Sequence, residues 1–576
     1  MDTETKEKLK DSKLGSRVSG AEGLVLSLLE EGADTLFGYP GGAIMPVYDA
    51  MYQYEGQIRH ILARHEQGAA HAAQGYARAN GKVGVAMATS GPGATNLITG
   101  IADAQIDSTA LVCITGQVTS QLLGTDAFQE TDIIGISLPV TKWSYQVTKA
   151  EEIPWAIAKA FYIARSGRPG PVLIDITKDA QMSDFEYYYE PCNDVRSYLP
   201  NPPLQMEQVE YAASLINNAK KPMLLVGQGV LIGKAQEEFK ALAEKADIPV
   251  GSTLLGLSAF PSNHRLFTGM LGMHGNYAPN IKTNDCDVLI SVGMRFDDRV
   301  TGDLSRYAKQ AKIVHFDIDE AEIGKNLHTD APVLANCKEA LQAILPLIKA
   351  AKHEAWLQEY KDLEAIEYEK VIENDIHPDG DQLKMAEVVH LLSELTDGQA
   401  TIATDVGQHQ MITARYYKYN ATNSNLTSGG LGTMGFGLPS AFGAKVGTPN
   451  KQVIAISGDG GFQMNIQELG TVMQEGTAVK MIILNNSFLG MVRQWQELFF
   501  DKRYASTDMV SPNFQILADA YNIQNRKVEQ RADLKAALQE MLDADGSYLL
   551  EVIVEQEGNV FPMVPTGASV SEVRLS

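Results

Sequence analysis

The stretch KQVIAISGDGGFQMNIQELGTVMQEGTAVKMIILNN, Lys451 to Asn486, leaves few folds open to this chain. Its first seven residues are β-rich and apolar, as in a buried strand. FQMNIQELGTVMQEG has helical spacing and stops at Gly476, a C-cap residue. VKMIILNN is a second apolar strand. Strand, helix and strand in succession imply a right-handed crossover between parallel neighbours. Asp459 and Asn486 then stand at the carboxyl ends of adjacent strands, where open α/β sheets bind ligands. Both offer oxygen, and neither offers sulfur or imidazole, which suits Mg2+ shared with substrate phosphate oxygens. Gly458 and Gly460 let backbone N–H groups and the helix N-terminus approach an anion. On spacing alone, a tight strand-to-helix turn followed by an Asn-rich turn remains the alternative.

The whole chain narrows the setting. Its 576 residues are enough for about three domains. A net charge of −23 disfavours nucleic acid, which needs a basic face, and anionic membrane surfaces. An anionic cofactor would need local help from Mg2+, Lys or helix N-termini. Cys113, Cys192, Cys286 and Cys337 lie far apart with no C-x-x-C, so reduced thiols and a cytoplasmic location are expected. No apolar run approaches the length of a membrane-spanning helix. The start, MDTETKEKLKDSKLGSR, is charged and lacks an apolar core, so residues 1–17 read as a mobile tail and not a secretory signal.

Two stretches without regular periodicity, Phe185 to Gln205 and Glu373 to Gln382, divide the remainder into domains over 18–190, 200–370 and 380–576. Each alternates β-rich runs with helical segments, which means α/β folds with parallel sheets flanked by helices. The outer two resemble each other: GYARANGKVGVAMATSGPGATN and FGAKVGTPNKQVIAISGDGGFQMN align, with Pro92 where Asp459 stands. This reads as a duplicated fold in which one copy keeps the metal ligand, against the alternative of chance similarity between strand–helix units. In ARHEQGAAHAAQGYARANG, Glu66 sits where a strand meets a helix rich in Ala and Gly. It is either an acid stabilised at a helix N-terminus or a carboxyl group able to share a proton with a heterocycle nitrogen.

The G-D-G turn with N-N closing the next strand resembles the signature of thiamine diphosphate enzymes, and the His-Glu-x-Gly turn resembles the position of their cofactor-activating glutamate. The likeness continues through FGYPGGAIMPVYDA, TSGPGATN, GTDAFQE, SGRPGPVLIDI, GMLGMHGN, VGMRFDDRVTG, GGLGTMGFGLPSAFG and NNSFLGMVRQWQE. Together these resemble the catalytic subunits of the acetohydroxyacid synthase (acetolactate synthase) family from about Val18 to about Gly567. The resemblance implies a thiamine-diphosphate-binding fold twice, for the pyrimidine in the first domain and the diphosphate in the last. Between them it implies a Rossmann-like FAD-binding domain.

It further implies that Asp459, Asn486 and the Phe488 carbonyl hold Mg2+ on the diphosphate, whose end is lined by Gly458, Gly460, Gln408 and His409. Glu66 would hydrogen-bond the aminopyrimidine, and Met434 would support the bend of the cofactor. GGLGTMG also fits a dinucleotide fingerprint, but ATNSNLTS before it is not a clear strand, so that match is set aside. Arg299 would take the acceptor carboxylate and Trp495, one helical turn beyond Met491, its alkyl end; Gln129 and Lys178 match residues near the site. For FAD the matching residues are Arg168, Met273, His274, Gly275, Asn276, Arg295 and Asp317. The implied substrates are pyruvate and 2-ketobutyrate, and the implied assembly is a homodimer or dimer of dimers with active sites between chains, joined by a regulatory small subunit. A related thiamine enzyme, a flavin oxidoreductase and a non-catalytic binding protein are the competing readings. The first is disfavoured by RFDDR and MVRQWQ, and the last by the intact Glu66, Asp459 and Asn486.

Overall fold

The structure, a computed structural model, describes residues 13–576. Its frame is three six-stranded sheets in which every neighbouring pair of strands is parallel. Parallel sheets are covered by helices on both faces, so their central strands are apolar throughout rather than alternating. Gly84–Ala88, Leu111–Gln117 and Pro171–Thr177 accordingly bury every residue.

From edge to edge, the first sheet runs Arg59–Leu62, Thr35–Gly38, Gly84–Ala88, Leu111–Gln117, Pro171–Thr177, Trp143–Val147. The last sheet runs Asn425–Thr427, Thr401–Thr404, Val453–Gly458, Lys480–Asn485, Tyr548–Ile553, Gln524–Val528. Counted by their order in the chain, both read second, first, third, fourth, sixth, fifth. The duplicated fold expected from the sequence is therefore present strand for strand. The middle sheet runs Phe267–Met270, Val250–Ser252, Pro222–Val226, Val288–Val292, Lys312–Asp317, Ala331–Leu334. Its order, third, second, first, fourth, fifth, sixth, is that of dinucleotide-binding folds.

The chain groups into two compact units. One holds the chain up to Leu199 with Ser428–Asn450 and Gln463–Val479; the other holds Pro200–Thr427, Lys451–Phe462 and Lys480–Ser576. Within the first unit, the helices Glu66–Asn80 and Gly437–Gly447 cross backbone on backbone. A Cβ on Gly75 would collide with the Ser440 carbonyl, and one on Gly443 with that of Ala72. Only glycine allows that approach.

Several local expectations need correction. The helix expected from Phe462 to Gly476 is broken: Asp459–Met464 and Leu469–Glu475 are separated at Asn465 by a 3-10 turn, Ile466–Glu468. Asn465 leaves helical geometry and gives its side-chain amide to the Gly435 carbonyl at 2.7 Å. Gly476 does close the second piece in the left-handed conformation. The segment read as irregular from Phe185 begins in an antiparallel strand, Asp184–Glu186, paired with Arg17–Ser19, and Tyr187 behind it is buried. The tail expected over 1–17 lies mostly outside the described residues, and Arg17 belongs to that strand. A short strand, Asn425–Thr427, does precede the GGLGTMG turn, where none was clear.

Candidate active site

Val453–Gly458 delivers Asp459 to the start of a helix, and the neighbouring strand Lys480–Asn485 delivers Asn486. Asp459 is fully buried, and its Oδ2 accepts from Ser511 Oγ at 2.9 Å. Burial pushes its carboxyl up to about 6, against the pull of the Ser511 hydroxyl. A carboxylate so desolvated is one that a cation stabilises. Asn486 Oδ1 accepts from the Phe488 N–H at 3.3 Å, and its Nδ2 faces Gln408 Oε1 at 3.4 Å. The turn after Asn486 is braced by Leu489 N–H on the Thr507 carbonyl (2.8 Å) and Met509 N–H on the Ser487 carbonyl (2.9 Å).

On the other side of Val453–Gly458, the strand Thr401–Thr404 leads into the helix Gln408–Tyr416. This is where the strand order reverses, the crevice in which such sheets bind ligands. Gln408 and His409 are both buried. Gln408 Nε2 donates to Gln494 Oε1 at 2.9 Å and to the Gly558 carbonyl at 2.8 Å. His409 Nε2 has no hydrogen-bond partner among the described residues, and burial holds the ring down to about 4, neutral at physiological pH. A buried polar atom left so is costly unless a ligand meets it. Glycines keep the space open: a Cβ on Gly458 would stand 2.9 Å from His409 Nδ1, and one on Gly490 2.8 Å from Asn486 Nδ2. Hard oxygen donors, an orphaned imidazole nitrogen and a glycine-cleared cradle fit a Mg2+-bound diphosphate.

The first unit presents Glu66 on different elements. Arg59–Leu62 runs through Arg64 and His65 into the helix Glu66–Asn80, capped by His65 Nδ1 accepting from the Gln67 N–H at 3.1 Å. Buried Glu468 fixes this corner by accepting the N–H groups of Arg64 (3.1 Å) and His65 (3.0 Å). Glu66 itself is 8% exposed, and its Oε2 accepts from Asn96 Nδ2 at 3.0 Å. Met434 is half-buried in the turn before the helix Gly437–Gly447. Gln129 takes a left-handed backbone (φ 60°) in a loop whose neighbour Phe128 is 88% exposed, and Lys178 opens the helix Lys178–Met182. Arg168 Nε donates to Ser108 Oγ at 2.8 Å.

In the second unit, Arg299 is exposed, with Nε 3.8 Å from Asp298 and Nη1 3.6 Å from Met273 Sδ. The Met273 N–H bonds the Arg299 carbonyl at 2.7 Å, so the two expected groups lie side by side. His274 is buried, its Nε2 also lacks a partner among the described residues, and burial, then Arg415 and Arg299, hold it down to about 4. Asn276 turns its side chain inward, accepting from the Met270 N–H at 3.0 Å and donating to Glu367 at 3.1 Å. It shapes the turn that carries Met273 to Gly275. Arg295 Nε lies 3.6 Å from Asp297, and Asp317 accepts from the Asp319 N–H at 2.9 Å. Trp495 is half-buried on the helix Gly490–Phe499 and stacks on Phe499, 4.9 Å between ring centres.

Residues that the sequence reading left without roles hold these groups in place. Asn96 stands in the quoted TSGPGATN, so it was visible but unassigned. Ser511 arrives from a loop more than fifty residues beyond Asp459, and nothing local in the sequence marks it.

Comparison with known proteins gives three family matches in order along the chain. These are thiamine pyrophosphate enzyme, N-terminal TPP binding domain, over 18–136; central domain, over 209–344; and C-terminal TPP binding domain, over 405–552. The chain is 46% identical over 563 residues to the acetolactate synthase isozyme 2 large subunit of Escherichia coli K12, covering 96% of this chain and 99% of that one. It is 44% identical over 570 residues to the acetolactate synthase large subunit of Lactococcus lactis, covering 98% and 97%. It is 44% identical over 565 residues to the probable acetolactate synthase large subunit of Methanocaldococcus jannaschii, covering 96% and 95%.

Proposed function

The chain belongs to the acetolactate synthase large-subunit family of thiamine pyrophosphate enzymes, and from that premise we propose a division of labour among its residues. The activity is that of a biosynthetic acetolactate synthase. Pyruvate loses CO2, and the remaining two-carbon aldehyde unit passes to a second 2-keto acid, the first common step toward the branched-chain amino acids. Thiamine diphosphate, when bound, supplies the electron sink for that decarboxylation.

The diphosphate end belongs to the second unit. Asp459, Asn486 and the Phe488 carbonyl hold Mg2+, while Gly458, Gly460, Gln408 and His409 line the phosphates. Glu66 holds a proton at the aminopyrimidine ring nitrogen, oriented by Asn96. Met434 supports the cofactor from below. Arg299 takes the carboxylate of the acceptor, pyruvate or 2-ketobutyrate, and Trp495 with Met491 walls its alkyl end. Gln129 and Lys178 approach the reacting end. Arg168, the turn Met273–Asn276, Arg295 and Asp317 hold FAD; the reaction has no net redox change, so the flavin is structural. The dinucleotide-type order of the middle sheet and the orphaned His274 nitrogen support that assignment.

The domains run over 18–190, 200–370 and 380–576. The enzyme acts in the cytoplasm as a homodimer or dimer of dimers with active sites between chains. Relatives named as large subunits support a separate, smaller regulatory subunit.

The observation that carries this reading is the oxygen pair Asp459 and Asn486 at the carboxyl ends of neighbouring strands of the last sheet, in a chain 44–46% identical to these synthases over nearly its whole length. The test is pyruvate turnover with thiamine diphosphate, Mg2+ and FAD supplied and withheld in turn, with products identified. Acetolactate formation that depends on thiamine diphosphate and Mg2+ is expected. No acetolactate under full supplementation would overturn the reading.

A further inference from the structure

Two buried carboxylates in the first unit take no part in the mechanism above. Asp103 lies on the helix Ile98–Ile106 and Asp107 caps its end, one turn apart on one face. Both side chains are within 1% of full burial. Acids are not buried this way without strong compensation, and here the hydrogen bonds come mainly from one loop. Asp107 accepts the N–H of Gly429 on one oxygen and that of Gly430 on the other, each at 2.8 Å. Asp103 Oδ1 accepts from the Thr433 hydroxyl at 2.8 Å and from the Ser428 hydroxyl, and Ser428 Oγ accepts from the Thr433 N–H at 2.8 Å. Arg78, 3.8 Å from Asp107, offsets part of the charge, and its guanidinium lies over Phe436 at 6.0 Å. The clamped residues read SGGLGT, and the next is Met434. Gly432 adopts the left-handed conformation (φ 69°), and three glycines would leave the turn loose without the acids. Methionine is flexible, so where it sits depends on where its backbone is held. Burial and then the Asp103 carboxylate raise the Asp107 carboxyl, and Arg78 with the Gly429 and Gly430 N–H groups draws it back down.

We propose that Asp103 and Asp107 are positioning residues that clamp the turn 428–433 and thereby set the place of Met434. The proposal rests on the reading that Met434 supports the bound cofactor. None of the clamp's hydrogen bonds reaches a residue assigned to the substrate or to the diphosphate, so its loss acts on the chemical step and spares pyruvate binding.

The test uses the full chain with Asp107→Ala, Met434→Ala and both together. Hydrogen–deuterium exchange on the protein without cofactor should show segment 428–435 exchanging about 10-fold faster or more in Asp107→Ala, with other segments unchanged. In the loaded enzyme kcat should fall about 10- to 100-fold, as for a misplaced group, while KM for pyruvate stays within about twofold. The double variant should be no slower than Met434→Ala, because both act through one side chain. If Asp107→Ala does not fold, Asp107→Asn, which keeps one accepting oxygen, should give the same pattern at smaller amplitude. Unchanged exchange, or losses that multiply in the double variant, would overturn the proposal. A wild-type enzyme that makes no acetolactate would instead sink the functional reading, and the exchange measurement would still decide whether the clamp exists.

Discussion

The first and last sheets share one strand order and differ in one turn. In each, the third strand ends in Ser-Gly-x-Gly and opens a helix, Pro92–Asn96 in one and Asp459–Met464 in the other. Pro92 has no side-chain donor for a metal and no N–H for an anion; it merely suits the first position of a helix. Asp459 is a fully buried acid whose carboxylate accepts from the Ser511 hydroxyl. The fourth strands differ as well. Lys480–Asn485 is followed by Asn486, whereas Leu111–Gln117 ends in Gln117, whose amide is spent on the Thr131 carbonyl at 3.0 Å and on Asp175 at 3.2 Å. The first sheet contributes its acid elsewhere, as Glu66 beyond an edge strand. The topology thus dictates where a ligand rests, and one or two residues at the strand ends decide what that ligand is.

Five substitutions probe this division. The largest loss is expected from Glu66→Gln, which should slow turnover roughly 10²- to 10⁴-fold by removing a proton-transfer partner. Deuterium exchange at the cofactor C2 checks it directly, and an unchanged rate would remove Glu66 from the chemistry. Trp495→Leu should alter which product forms more than how fast: a methylene-sized contact is worth about 1–3 kcal/mol, or roughly 10- to 200-fold in selectivity. In competition between pyruvate and 2-ketobutyrate, the product ratio should fall toward the ratio supplied. A parental ratio would make Trp495 plain packing against Phe499. Arg299→Gln serves as the contrast, since both acceptors carry the carboxylate and both products should drop together.

Ser511→Ala removes the hydroxyl that orients Asp459 and should weaken Mg2+ affinity about 10- to 100-fold, as is usual for groups that hold a ligand. Mg2+ titration of cofactor binding measures it, and full affinity would assign Ser511 no such role. The smallest effect belongs to the reciprocal change. Pro92→Asp, at an exposed position, should create no second Mg2+ site, because Ser120, which the strand registers place where Asn486 stands in the last sheet, carries no amide oxygen and is already bound to Asp179. Appearance of a second Mg2+-dependent diphosphate site would mean that the turn residue alone suffices.

The strands were legible because buried parallel strands are short, continuous and β-branched, and PMLLV, VIAIS and MIILN stand out as such. The duplication was legible because VAMATSGPG and VIAISGDGG carry the same glycine pattern. The break at Asn465 was not, since helical spacing continues through it while a bond to the distant Gly435 carbonyl sets the geometry. The strand Asp184–Glu186 was hidden for a similar reason: three residues carry no periodicity, and their partner lies at Arg17–Ser19. At the site, the residues that offer donors sit in recognisable turns, whereas Ser511, Glu468, Asp103 and Asp107 act across long sequence separations. Arg299 shows the limit from the other side, for its motif is plain in the sequence while its guanidinium lies 3.8 Å from the neighbouring Asp298.

The central claim is that the last sheet, through Asp459, holds the cofactor's diphosphate, while the first sheet, through Glu66, acts on its ring. Calorimetric titration of thiamine diphosphate into the wild type, Asp459→Ala and Glu66→Gln, each with Mg2+ and with chelator, separates the two jobs. The account predicts Mg2+-dependent binding in the wild type, retained within about 10-fold in Glu66→Gln and weakened more than about 100-fold in Asp459→Ala, with its fold intact. Wild-type, Mg2+-dependent affinity in Asp459→Ala would contradict it.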